Sequence, residues 1–245
     1  SEHFSIQQLI GDSKINDIEK IFLTASGGPF LNLKLSKFKN IKPKDALIHP
    51  KWKMGKKITI DSSTLMNKIL ELIEAHKLFN IPLNKLDILI HPNSLIHAIV
   101  KFKNGLTKLL YHETSMIIPL ANAIFDGDLF IKRYFNKDKK NNSNYFPNLI
   151  FKQPDKKIFP ITKMIKRINE HPSTPIIINS ANEVLVDQFL QKNIPFSSIS
   201  KIIMSIMNDK NYKKYAIKRP NNINQIKSID HWTREITFKK IKMQK

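Results

Sequence analysis

Apolar and polar positions follow two different rhythms along this chain. In the first half they form short runs bounded by Gly, Pro and Asn, as strands do. In the second half they recur every three to four residues, as on one face of a helix. The pattern predicts a short helix over Phe4–Ile10 and a strand over Ile21–Thr24 that ends in Ser26-Gly27-Gly28-Pro29. Residues 34–57 are basic and broken by Pro43, Pro50 and Gly55, so they read as loop plus a short helix. A strand over Ile58–Ile60 and a helix capped by Ser62 or Ser63 and running to about Phe79 follow. Two more strands, Asp87–Ile90 and Ala98–Phe102, flank His91-Pro92-Asn93, and Asn104-Gly105 marks a hairpin whose return strand is Thr107–Tyr111. Residues 126–154 turn to Asn, Lys, Asp and Pro and read as a linker. Helical patterns then cover Pro160–Glu170, Ser180–Lys192 and Ser197–Asp209, and the tail from Tyr212 carries Ile229, Trp232, Ile236 and Phe238 toward a last helix. The expected class is α+β: an α/β domain with a small mixed sheet over 1–125, the linker, and a helical domain over 155–245.

Composition narrows the partners. No apolar run approaches the length of a membrane span, and the start lacks the basic-then-apolar order of a signal peptide. The absence of cysteine removes disulfides and thiolate metal sites and fits a reducing, cytoplasmic setting. Any metal would be held by Asp, Glu or His. The net charge of +21 suggests nucleic acid at first. Yet Arg occurs only at 133, 167, 219 and 234, and the excess is Lys spread over the whole chain. A nucleic-acid reader concentrates the planar Arg fork, so this charge reads as compositional drift, with a basic nucleic-acid-binding protein kept as the alternative from another class.

Three segments could carry chemistry. Asn67, Glu71 and Glu74 share one stripe of the helix after Asp61, either its solvated face or the wall of a polar pocket, and the pattern alone favours the solvated face. Ser62, Ser63, Asn67 and Lys68 near a helix start would suit an anion. Ser26-Gly27-Gly28 is either a turn before Pro29 or a loop whose N–H groups point at an anion. His49–Lys57 sets Trp52 and Met54 among lysines with Gly55 as a pivot, either a lid or a plain basic loop. His91 and His97 read as structural histidines or as ligands, and Glu2 and His3 carry little weight so close to the start.

Five collinear runs resemble the 1-deoxy-D-xylulose 5-phosphate reductoisomerase family: SEH at 1–3, TASGGPF at 24–30, HPKWKMGKKITIDSSTLMNKILELIEA at 49–75, LIHPNSLIHAIV at 89–100 and NSANEVLVDQFL at 179–190. The resemblance implies an NADPH- and Mg²⁺- or Mn²⁺-dependent enzyme, a homodimer, that rearranges and reduces 1-deoxy-D-xylulose 5-phosphate to 2-C-methyl-D-erythritol 4-phosphate, the committed step toward isoprenoids. It implies Glu2 and Glu71 as metal ligands. Ser26, Ser62, Asn67 and Lys68 would hold the substrate phosphate, Ser1 the substrate backbone, and His49 the substrate from a flap that includes Trp52 and Met54. Gly55 would touch the nicotinamide cofactor.

The chain also departs from the family. It has no GxGxxG or GxxGxxG turn, so the family's NADPH-binding domain is expected to lie outside these residues, and a third metal carboxylate would fall just before Ser1. Thr114-Ser115-Met116-Ile117 stands where the family carries Pro-Asp-Met-Arg. The expectation is a piece of the enzyme that does not reduce substrate by itself; an inactive remnant is the alternative.

Overall fold

The computed structural model describes residues 1–49, 54–129 and 148–243. They form two compact units, each assembled from separate stretches of chain: residues 1–26 with 85–153, and 27–84 with 154–245. The expected division at 125/126 marks where strands give way to helices along the sequence; grouping by packing runs differently. Most of the expected linker lies outside the described residues. Its final part joins the first unit, where Lys152 pairs with Ile90.

The first unit is a four-stranded mixed sheet with helices. Strand β1 (Ile18–Ala25) lies parallel to β2 (Leu86–Ile90) and antiparallel to β3 (Ile96–Phe102), which pairs antiparallel with β4 (Thr107–Tyr111), giving the order β2-β1-β3-β4. In β3, Ile96, Ala98, Ile99, Val100 and Phe102 are all buried, as an apolar run without alternation requires of a central strand. The β3–β4 turn has Gly105 at φ 89°, a conformation that glycine enters without a Cβ clash. Helix α1 (Glu2–Ile10) packs Ile6, Leu9 and Ile10 against β3 and β4. Helix α5 (Ile117–Phe125) follows β4 in this unit.

The second unit is helical, with α2 (Pro43–Ala46), α3 (Lys56–Thr64) and α4 (Met66–Phe79) from the first half of the sequence. Its remaining helices are α6 (Thr174–Leu190), α7 (Phe196–Met207), α8 (Tyr212–Ala216) and α9 (Ile223–Lys242). Helix α6 is buried on most sides and packs on α3, α4, α7 and α9. Two clamps tie it to α9: Ser180 Oγ donates to Asp230 at 2.5 Å, and Arg234 bonds both Asp230 at 2.8 Å and Glu183 at 2.5 Å. Among the described residues no helix is long and apolar enough to cross a membrane.

Three local expectations are corrected. The strand over Ile58–Ile60 is part of α3. Three β-branched residues are too few to show a period, and within the helix the hydroxyls of Thr59, Ser63 and Thr64 are satisfied by carbonyls three or four residues earlier. Ser62 and Ser63 therefore sit inside α3 and cap nothing; the expected helix from there to Phe79 is broken at Leu65, which has φ 64°. Pro160–Glu170 forms only a 3₁₀ turn over Pro160–Met164 followed by turns.

Candidate functional site

The candidate site residues fall into a set on each unit. The set on the second unit centres on the α3–Leu65–α4 elbow. Leu65 is 2% exposed, and burial of its side chain offsets the roughly 1–2 kcal/mol cost of a left-handed L-residue. Thr64 Oγ1 reinforces the joint by donating to the carbonyl of Asp61 at 3.1 Å and accepting from the Met66 amide at 3.2 Å. Gly28, at φ 61°, lies so close that an added Cβ would stand 3.2 Å from Ser63 Cα and 3.4 Å from the Ser62 carbonyl. The Ser-Gly-Gly turn thus seats its second glycine against the helix segment that carries Ser62.

Just past the elbow, Asn67 and Lys68 occupy the first turn of α4 and Glu71 the next. Lys68 is buried, 7% exposed, and its Nζ lies 2.6 Å from Glu71 Oε2. The Asn67 side-chain amide donates to Glu71 Oε1. The Glu71 side chain is only 13% exposed, while Glu74 is exposed. That overturns the solvated-face reading for Glu71: the stripe dips inward at Asn67, Lys68 and Glu71 and reaches solvent only at Glu74. Periodicity finds a face of a helix but not what covers it. Burial, with Lys68 adding to it, lowers the pKa of the half-buried His49, so the ring is neutral near pH 7. Met54 is half-buried and Gly55 exposed ahead of α3; nothing lies within 4 Å of the place where a Gly55 Cβ would stand. Trp52 lies outside the described residues.

The set on the first unit centres on Glu2 at the start of α1. Ser1 Oγ donates to Glu2 Oε2 at 2.7 Å, and His97 Nδ1 from β3 lies 3.9 Å from Glu2 Oε1. His112, just past β4, stacks on His97 with ring centroids 4.1 Å apart and planes within 5°. Its Nδ1 bonds the Glu113 carbonyl at 2.7 Å, so that nitrogen carries the proton. Burial, then His97, lowers the His112 pKa. Its Nε2 is a buried lone pair with no hydrogen-bond partner among the described residues. Sequence reasoning missed His112; its only signal was a histidine closing the return strand of a hairpin. His91 stacks on Phe151 at 4.7 Å and bonds the Ile150 carbonyl at 2.9 Å, a packing role. Ser26 ends the stretch after β1 and is half-buried.

The donor chemistry of Glu2 and Glu71 fits a hard divalent cation: carboxylate oxygens, largely shielded from solvent, in a chain without thiols. Among the described residues no group of three or more His, Asp or Glu side chains is gathered for a metal.

Comparison with known proteins decides the family. The profile described as "DXP reductoisomerase C-terminal domain" matches residues 113–236, half of the chain, and that described as "1-deoxy-D-xylulose 5-phosphate reductoisomerase C-terminal domain" matches residues 1–79. The chain belongs to the 1-deoxy-D-xylulose 5-phosphate reductoisomerase family. It is 48% identical over 238 residues to the reductoisomerase of Pelagibacter ubique (strain HTCC1062), covering 95% of this chain and 59% of the relative. It is 42% identical over 215 residues to that of Sulfurihydrogenibium sp. (strain YO3AOP1), covering 87% and 56%. The chain thus spans under two thirds of these relatives. A crystal structure of a reductoisomerase in complex with NADPH, fosmidomycin and magnesium superposes with TM-score 0.84 at 30% identity, covering all of this chain and 62% of the other. The Zymomonas mobilis enzyme in complex with NADPH gives 0.80 at 31%, covering 98% and 60%.

Proposed function

We propose that this chain carries the metal- and substrate-binding part of a cytoplasmic 1-deoxy-D-xylulose 5-phosphate reductoisomerase, the first committed enzyme of the methylerythritol phosphate route to isoprenoids. The observation that carries this reading is the buried Lys68, placed with Asn67 at the start of α4, across the Leu65 elbow from Ser62 at the end of α3. A buried ammonium beside a helix N-terminus is suited to a phosphate.

In this reading Ser62, Asn67 and Lys68, with Ser26, hold the phosphate of the sugar. Glu2 and Glu71 are ligands of Mg²⁺ or Mn²⁺, and Ser1 contacts the carbon chain. When bound, the cation supplies Lewis acidity for the rearrangement and NADPH supplies the hydride. Glu71 is held in orientation by Asn67 and Lys68, so its carboxylate needs little reorganisation to serve as a ligand. Lys68 exchanges part of its pairing with Glu71 for the phosphate, which keeps the buried charge balanced. The neutral His49 ring can accept a hydrogen bond from a substrate hydroxyl. The flap from His49, with Trp52 and Met54, excludes water, and Gly55 contacts the cofactor.

The protein associates as a homodimer in this reading. Leu109 and Tyr111 on the outer strand β4, with Ile117, Leu120 and Ile124 of α5, expose apolar surface on the first unit. A strand edge can pair with its own copy about a two-fold axis.

The test is NADPH oxidation by the full-length reading frame, supplied with 1-deoxy-D-xylulose 5-phosphate and Mg²⁺. Oxidation that needs both sugar phosphate and cation supports the reading; oxidation without either, or none, removes it. The 245-residue chain assayed alone is expected to show no turnover.

A further inference from the structure

Asp61 is a carboxylate with 2% exposure, one residue before Ser62. Its Oδ2 accepts from Lys57 Nζ at 2.8 Å, one helical turn back toward the flap. Its Oδ1 accepts from the Asn182 side-chain amide of α6, also at 2.8 Å. Asn182 is fully buried, and its own Oδ1 has no hydrogen-bond partner among the described residues. The helical framework thus accepts one orphaned carbonyl and one buried carboxylate to make this single bond. Apolar side chains would join two helices with less loss, since a buried ionic contact is often no more stabilising than a well-packed hydrophobic one. A directional bond provides register instead.

Register is what the elbow needs. Helix α6 is itself clamped to α9 through Ser180–Asp230 and Arg234, so Asn182 projects from a fixed support. Asp61 connects that support to the middle of α3, between the flap root at Lys57 and the left-handed joint at Leu65. Gly28 supports the same stretch at Ser62 and Ser63. A small rotation of α3 about its axis would move Ser62 and, through the rigid joint, Asn67 and Lys68.

We propose that Asp61 and Asn182 are positioning residues that hold the α3–α4 elbow in register for phosphate. The inference rests on the phosphate role given above to Ser62, Asn67 and Lys68. The probe is inorganic phosphate, titrated calorimetrically into the 245-residue chain, with thermal melting run in parallel. Lys68→Ala is the control for the underlying reading: if wild type shows no phosphate binding, or Lys68→Ala binds as wild type does, the phosphate reading fails and this inference with it. Where that control behaves, Asn182→Leu, branched alike but without a donor, is expected to weaken phosphate binding at least about tenfold while the protein remains folded. The exchanged pair Asp61→Asn with Asn182→Asp, which rebuilds an amide–carboxylate bond in the opposite sense, is expected to recover to within about threefold of wild type. Phosphate affinity within about twofold of wild type in folded Asn182→Leu would leave the pair a purely structural contact and overturn the proposal. If Asn182→Leu does not fold, Asn182→Ser, whose hydroxyl is too short to span the gap, is read by the same criteria.

Discussion

The polar clusters of the two units differ in how far their buried polar groups are paired. On the second unit, charge is met by charge: Lys68 and Asn67 occupy both oxygens of Glu71, and Lys57 and Asn182 both oxygens of Asp61. On the first unit, which also holds the Glu2 carboxylate, neutral groups are left open: His91 Nε2, His112 Nε2, Ser5 Oγ and Ser94 Oγ are buried with no hydrogen-bond partner among the described residues, whereas on the second unit Asn182 Oδ1 is in that state. A paired cluster is prebuilt and resists change, so it suits a fixed anion such as a phosphate. An open, neutral cluster retains unused acceptors that a ligand's hydroxyls or a bound water can satisfy. The two clusters should therefore respond to different perturbations.

The largest effect is expected from breaking the paired cluster. Lys68→Ala removes the buried cation and strands the Glu71 carboxylate. The Michaelis constant for 1-deoxy-D-xylulose 5-phosphate in the full-length enzyme should rise by about 100-fold or more, some 2.7 kcal/mol. Steady-state kinetics check this; a change under tenfold would mean that another group holds the phosphate.

Acid should distinguish the neutral cluster next. Burial holds the pKa of His91 and His112 below the ordinary 6.5, so the unfolded chain takes up their protons first. Their contribution to stability is complete above about pH 6.5 and is lost as pH falls through the lowered folded-state values. The melting temperature should drop between about pH 7 and pH 5, and His91→Phe should make the drop shallower. A pH-independent difference between wild type and His91→Phe would count against this.

Ser62→Ala should give a smaller change. Loss of one neutral hydroxyl from the phosphate site is expected to weaken phosphate binding about three- to tenfold, or 0.7–1.4 kcal/mol, with the melting temperature unchanged. The smallest effect on folding is expected at the exposed face of β4 and α5. Leu109→Lys with Ile124→Lys should leave the melting profile of the monomer nearly intact while lowering the mass seen by light scattering from dimer to monomer. A dimer that persists would place the interface elsewhere.

What the sequence disclosed follows the reach of each signal. The Asn104-Gly105 hairpin was legible because a two-strand turn is written in adjacent residues. The helices α6, α7 and α9 were legible because long periodic patterns leave little choice. The elbow was not: Leu65 is no residue that announces a left-handed turn, and Thr59, Ser63 and Thr64 carry no helix signal of their own although their hydroxyls bond backbone carbonyls of the helix they join. The inward turn of Glu71 depended on Lys68 beside it, and His112 and Asp61 gained meaning only from partners distant in sequence, His97 and Asn182. The resemblance to the family named the residues; packing supplies the reasons they are held as they are.

The most direct test of this account is phosphate titration into Glu71→Gln without added metal. If Glu71 is the counter-ion that Lys68 exchanges for phosphate, removing its charge leaves Lys68 available to the ligand, and phosphate should bind about tenfold tighter than to wild type. Unchanged or weaker binding would show that the Lys68–Glu71 pair does not face the phosphate, and the elbow would lose its assigned role.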